Sequence, residues 1–148
     1  MALARARIMK IKPDRSAAEN AARLLPKLAR RFLKAGRKAA RDHTEWSGLH
    51  LFRLEAKRFR YTLELFAPLY DSSMDARIAA MKKVQQALGL INDLETTANL
   101  AAVSHDEKFQ TWLRRRQDEE RASFQRVWRE EFEEGRPKQF WIEYLESP

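Results

Sequence analysis

Apolar residues return every three or four positions along four long stretches of the chain, and no Val/Ile/Thr-rich stretch alternates as a strand would. The pattern predicts an all-α protein. Ser16 followed by Glu19 is a capping-box pair, and the helix it opens is predicted over about 17–42, with Pro26 expected to kink or restart it. A second helix is predicted over about 47–67, stopping near Pro68. A third starts after Asp71-Ser72-Ser73 and continues to about 103, with a disturbance expected near Gly89 that would allow close packing or a kink. The pattern restarts around Ser104 and His105, and a fourth helix ends at Gly135, ahead of a short tail opened by Pro137. Long helices joined by short connections predict an antiparallel four-helix bundle with a short C-terminal helical tail.

Composition narrows this little, but charge changes the picture. The chain has 148 residues and is 44% hydrophobic, enough for one core and one domain. We expect a basic N-terminal segment over 1–15 and a single helical bundle over 16–148. Without cysteine there is no disulfide framework or thiolate metal site, and no apolar run approaches a membrane span, so a cytoplasmic setting is expected. The net charge of +8 is unevenly held. Residues 1–70 carry 17 Lys/Arg against 6 Asp/Glu, or +11, whereas residues 71–148 carry 12 against 15, or −3. A solvated surface explains the total but not its concentration, which points to a polyanionic partner.

A helix advances about 100° per residue, so the direction of each cation can be counted out. With Lys27 at 0°, Arg30, Arg31, Lys34, Arg37, Lys38 and Arg41 all fall between about 280° and 40° on one face. No acid occurs from 21 to 41 to relieve their mutual repulsion. With His50 at 0°, Arg53, Lys57 and Arg60 fall between about 280° and 340°, while Phe52, Ala56, Phe59, Leu63 and Phe66 take the core side, between about 160° and 240°. Tyr61 and Glu64 border the second basic face. Two such faces on neighbouring helices are expected to form one cationic ridge or groove, with Arg supplying planar forks for phosphate oxygens and Lys mobile point charges.

The residues His50-x-x-Arg53-x-x-x-Lys57-Arg58-x-Arg60-Tyr61, then Leu63-Glu64-Leu65-Phe66, and a second block Met81-Lys82-x-Val84-Gln85-x-x-Leu88-Gly89-x-x-Asn92-Asp93-Leu94, resemble the CHAD domain, the conserved histidine α-helical domain. Phe59 and Val84 stand where that family more often has leucine. The resemblance covers about 20–135 and implies a helical bundle that binds inorganic polyphosphate through basic side chains as a recognition or targeting module, in some settings on polyphosphate granules. Typical members carry two similar bundles. This chain looks like one of them, closer to the second, so either a shortened member stands alone or two copies associate to rebuild the double bundle; a homodimer is the expectation, since twofold pairing is the commonest oligomeric solution. By resemblance, Lys82 extends the anion site and Gln85 or Asn92 donates neutral hydrogen bonds. Asp93 would repel phosphate, so its expected role is to orient Arg53 or Arg60.

Other constellations are weaker. His43, seven residues before His50, is expected at a helix end, and His105-Asp106-Glu107 lacks a credible ligand set, so no metal, cofactor or catalytic residue is expected. The acids Glu119, Glu120, Glu130, Glu131, Glu133 and Glu134 alternate with arginines as intrahelical pairs would. Trp112, Phe124, Trp128 and Phe132 are expected as core or dimer contacts. Nucleic-acid binding shares the electrostatics but calls for aromatics or amides beside the cations, and these aromatics are expected to point inward. A phosphate-ester or triphosphate-processing enzyme needs carboxylates gathered around Mg²⁺, and only Glu64 and Asp93 lie near. The reading is therefore non-enzymatic polyphosphate binding.

Overall fold

A computed structural model describes residues 10–41, 43–102, 105–135 and 137–148, and among them every regular element is helical. The helices are α1 (Ala17–Ala39), α2 (Trp46–Phe66), α3 (Met74–Ala101) and α4 (Glu107–Trp128). A 3₁₀ turn (Ala67–Leu69) follows α2, and wide π-type turns (Arg129–Glu133 and Lys138–Glu143) close the chain. Each long helix packs against the next, so the chain forms the expected four-helix bundle. Ser104 and residues 1–9 of the expected basic segment lie outside the described residues.

Local chemistry fixes most boundaries. The capping box forms: Glu19 N–H donates to Ser16 Oγ at 3.1 Å and Ser16 N–H to Glu19 Oε2 at 2.8 Å. Asp106 caps α4 by accepting from the N–H groups of Lys108 and Phe109, and His105 sits in the loop just before it. Buried Asn20 holds the segment ahead of α1, accepting from Lys12 N–H and donating to the carbonyl of Lys12.

Several expectations change. Pro26 does not restart α1, because its ring is buried among the helix's core residues and that packing offsets the missing hydrogen bond. α3 runs unbroken through Gly89, where an added Cβ would meet nothing within 4 Å, so this glycine neither admits a neighbour nor breaks the helix. The fourth helix ends earlier than expected, widening into π-type turns before Gly135 reverses the chain at φ +83°.

The core is aromatic and centres on Phe32. Its ring lies 5.1–5.5 Å from those of Phe52, Phe59, Trp128 and Phe132, and Trp141 stacks on Phe132 at 5.3 Å. Such pairs each add about 0.5–1.5 kcal/mol beyond area burial. Phe124, Trp128 and Phe132 are core residues as expected; Trp112 is half exposed and stacks on Phe109 instead. The C-terminal tail proves to be a wall of the core, with Trp141, Ile142 and Leu145 buried against the bundle. Arg77 anchors it. Its guanidinium lies between the rings of Tyr144 at 3.3 Å and Phe140 at 3.9 Å, Nε donates to Phe140 O at 2.8 Å, and Nη1 donates to Ser73 O at 2.7 Å.

Candidate functional site

The α1 cations stand where the sequence put them. Lys27, Arg30, Arg31, Lys34, Arg37, Lys38 and Arg41 are all exposed, on the side opposite the buried Leu25, Ala29, Phe32 and Gly36. Arg30 pairs with Glu146 at 3.4 Å and Arg31 with Glu55 at 3.7 Å. Both pairs are solvent-exposed and contribute little, on the order of 0–1 kcal/mol. The other five form no ion pair among the described residues.

On α2, His50 and Lys57 are exposed, Arg53 and Arg60 half-buried, and Tyr61 exposed with Arg60 4.9 Å and Lys57 5.8 Å from its ring centre. These residues share a flank, but it is not the flank that α1 packs on. The Arg31 to Glu55 pair marks the α1 side of α2, and Arg53 and Arg60 lie about 140–160° around the helix from Glu55. The row therefore faces the α3 side, and the α1 and α2 cations stand as two rows where one ridge or groove was expected. Between the two rows α2 turns outward a stripe of Leu51, Leu54, Arg58, Tyr61 and Leu65, all exposed. The core-facing apolar set has the same 3-4 spacing, so periodicity alone marked one face and left the second unseen.

α3 completes the second row. Running antiparallel from the corner at 67–73, it brings Lys82 and Gln85 level with Lys57 and Arg53. Lys82 is exposed, and Gln85 Oε1 and Arg60 Nε are buried polar atoms with no hydrogen-bond partner among the described residues. Such atoms favour a bound polar group or water. Asp93 departs from its expected role. By the same count it lies about 20 Å from Arg60 and about 9 Å from Arg53 along the bundle axis, and it forms no ion pair among the described residues. Glu64 holds Arg60 instead, at 3.5 Å.

Three arginines were not singled out by the sequence. Arg77 occupies a position in the buried stripe Met74, Arg77, Met81, Val84, Leu88 and Ile91, and a cation on an apolar stripe is a signal that periodicity carries. Arg121 reaches from α4 to the carbonyl of Thr44 at 2.6 Å, and Arg129 pairs with Glu134 at 3.6 Å. Both belong to a helix of alternating charge where no pattern separates one arginine from the next. The paired acids are as expected within α4, where Arg116 meets Glu119 and Glu120, but Glu131 crosses to Lys83 of α3. Among the described residues there is no group of three or more His, Asp or Glu able to hold a metal ion, and no helix long and apolar enough to cross a membrane.

The family model described as CHAD domain matches residues 2–102, which span α1, α2 and α3 and with them both cationic rows. No curated protein and no solved structure matches the chain significantly.

Proposed function

The chain belongs to the CHAD domain family, and on that premise we propose that it binds inorganic polyphosphate along its cationic rows, as a recognition module and not as a catalyst. The observation that carries this reading is the outward face of α1: Lys27, Lys34, Arg37, Lys38 and Arg41 stand exposed along it without a protein counterion among the described residues, with the exposed Arg30 and Arg31 filling the turn between Lys27 and Lys34. Turns recur about every 5.4 Å, so such a row can follow a chain that carries roughly one charge per phosphate. The second row, His50, Arg53, Lys57 and Arg60 with Lys82 and the Gln85 side-chain amide N–H, offers donors to the same ligand, and Arg60 Nε, without a partner among the described residues, belongs to it.

Competition at matched phosphate concentration and physiological salt tests the reading. Long-chain polyphosphate is expected to displace single-stranded RNA and duplex DNA from the protein; displacement in the opposite direction would sink the proposal in favour of nucleic-acid binding. Arg53→Ala with Lys57→Ala, and separately Lys34→Ala with Lys38→Ala, are expected to weaken polyphosphate binding about tenfold or more and to flatten its salt dependence by about one unit of slope per cation removed. Helicity by circular dichroism stays unchanged in both, since all four side chains stand outside the core.

A further inference from the structure

Where the C-terminal end of α1 and the middle of α4 part, a cleft of about 300 Å³ opens. Its floor is apolar, formed by the buried Leu49 and Phe124, and its polar wall is Arg41, His43, Thr44, Arg121 and Gln125. Among the described residues no lining side chain is a carboxylate. The wall is held by specific contacts. Arg121 donates to Thr44 O at 2.6 Å, tying α4 to the loop, and the Thr44 hydroxyl lies 3.2 Å and 2.9 Å from the carbonyls of Lys38 and Arg41. Those carbonyls end α1 and would repel an anion; the hydroxyl blunts them. His43 adopts φ +61°, the only left-handed non-glycine among the described residues. A histidine held in that region is strained where glycine is not, and such outliers gather where a side chain must be aimed.

The geometry points to a site for a compact phosphoryl anion of pyrophosphate size, either free or as the terminal pair of phosphates of a longer chain. A volume of about 300 Å³ is at the small end of ligand sites, and two guanidiniums with an imidazole and an amide suit an anion rich in oxygen acceptors. The pocket is closed below, so it takes an end where an open row takes a body. Arg41 belongs to both: it ends the α1 row and lines the cleft. A second hollow, sharing Arg41 and Gln125 with the first, adds Arg37 of the α1 row and Arg129. The one carboxylate among its described lining residues, Glu133, accepts from the Trp128 indole at 3.0 Å. Recognition of a chain end rests on the polyphosphate reading; affinity for pyrophosphate does not.

Isothermal titration of the full chain with pyrophosphate tests the site. Arg121→Gln is expected to weaken pyrophosphate about tenfold, as loss of a charge-assisted contact does, and His43→Gly to weaken it several-fold while leaving or raising the melting temperature. A purely structural His43 would move the melting temperature and leave affinity alone. Unchanged pyrophosphate affinity in His43→Gly and Arg121→Gln overturns the inference, as does failure of the wild type to bind pyrophosphate while it binds long-chain polyphosphate. Binding of pyrophosphate without long chains would leave the cleft standing and remove the proposed function. Linear tripolyphosphate against cyclic trimetaphosphate, which has no terminal phosphate, separates the two sources. Competition with long-chain polyphosphate by the linear species alone is expected if chain ends enter the cleft, and equal competition by both confines the site to free pyrophosphate.

Discussion

Gly36 lies on the buried face of α1, and a methyl group there would fall inside the indole ring of Trp128. That ring is wedged against Phe32, Phe52 and Phe132, so it has nowhere to move. Gly36→Ala is expected to cost about 1–3 kcal/mol or more in urea unfolding, through overpacking. Gly89→Ala is expected to do the reverse, raising stability by about 0.5–1 kcal/mol, because the site is helical and open. Both glycines lie inside helices, Gly36 in the last turn of α1 and Gly89 midway along α3, and only the neighbouring element decides whether a Cβ fits. Tyr70 shows the same dependence. Its hydroxyl donates to Leu145 O at 2.7 Å, and burial, with Tyr144 beside it, pushes its pKa from 10.0 up to about 12. A raised folded-state pKa gives stability that is complete below the unfolded value and is lost as pH rises through the folded one. The stability advantage of wild type over Tyr70→Phe in urea unfolding is therefore expected to be constant below about pH 10 and to fall away toward about pH 12.

At the scale of elements, the C-terminal segment is the part whose importance exceeds its length. It brings Trp141, Ile142 and Leu145 into the core, and it is fastened by the Arg77 sandwich and by the Tyr144 hydroxyl donating to Asp71 at 2.7 Å. Hydrogen bonds from Ser73 and Tyr144 hold the Asp71 carboxyl below its ordinary pKa. Arg77→Ala removes the cation between two rings and leaves two carbonyls short of a donor; a loss of about 2–4 kcal/mol is expected, with Trp141 fluorescence shifting to the red as the segment loosens. Retention of the native spectrum would show that apolar burial alone seats the tail. Helices α1 to α4 were legible from period and caps because both are local properties. The tail was not, because its docking depends on residues about 65 positions away in the chain.

For the whole molecule, the exposed stripe on α2 is the surface left over after the bundle has formed. For the homodimer expected from the sequence, we propose it as the face on which a second copy packs. A twofold antiparallel pairing sets Leu51 against Leu65 of the other copy and Leu54 against Tyr61, with Arg58 facing Arg58 at the centre. That central repulsion is relieved by an anion, so polyphosphate is expected to strengthen the dimer. In sedimentation velocity, the wild type should shift toward dimer on adding polyphosphate, and Leu51→Asp with Leu65→Asp should stay monomeric. A wild type that remains monomeric with and without ligand rules the pairing out.

Sequence by itself determined the helices, the identity of the cations and the face of its own helix on which each stands, because all three follow from composition and a fixed turn per residue. Even the second block at Met81 to Leu94, which pointed to the family, is a local pattern. Tertiary structure decided which faces meet. It set α1 against the Glu55 flank of α2 and so kept the two cationic rows apart, it moved the partner of Arg60 from Asp93 to Glu64, and it brought Arg121 to the loop that follows α1. These are outcomes of packing between helices, fixed by where Phe32 and Trp128 fill space, and no count along a single helix contains them.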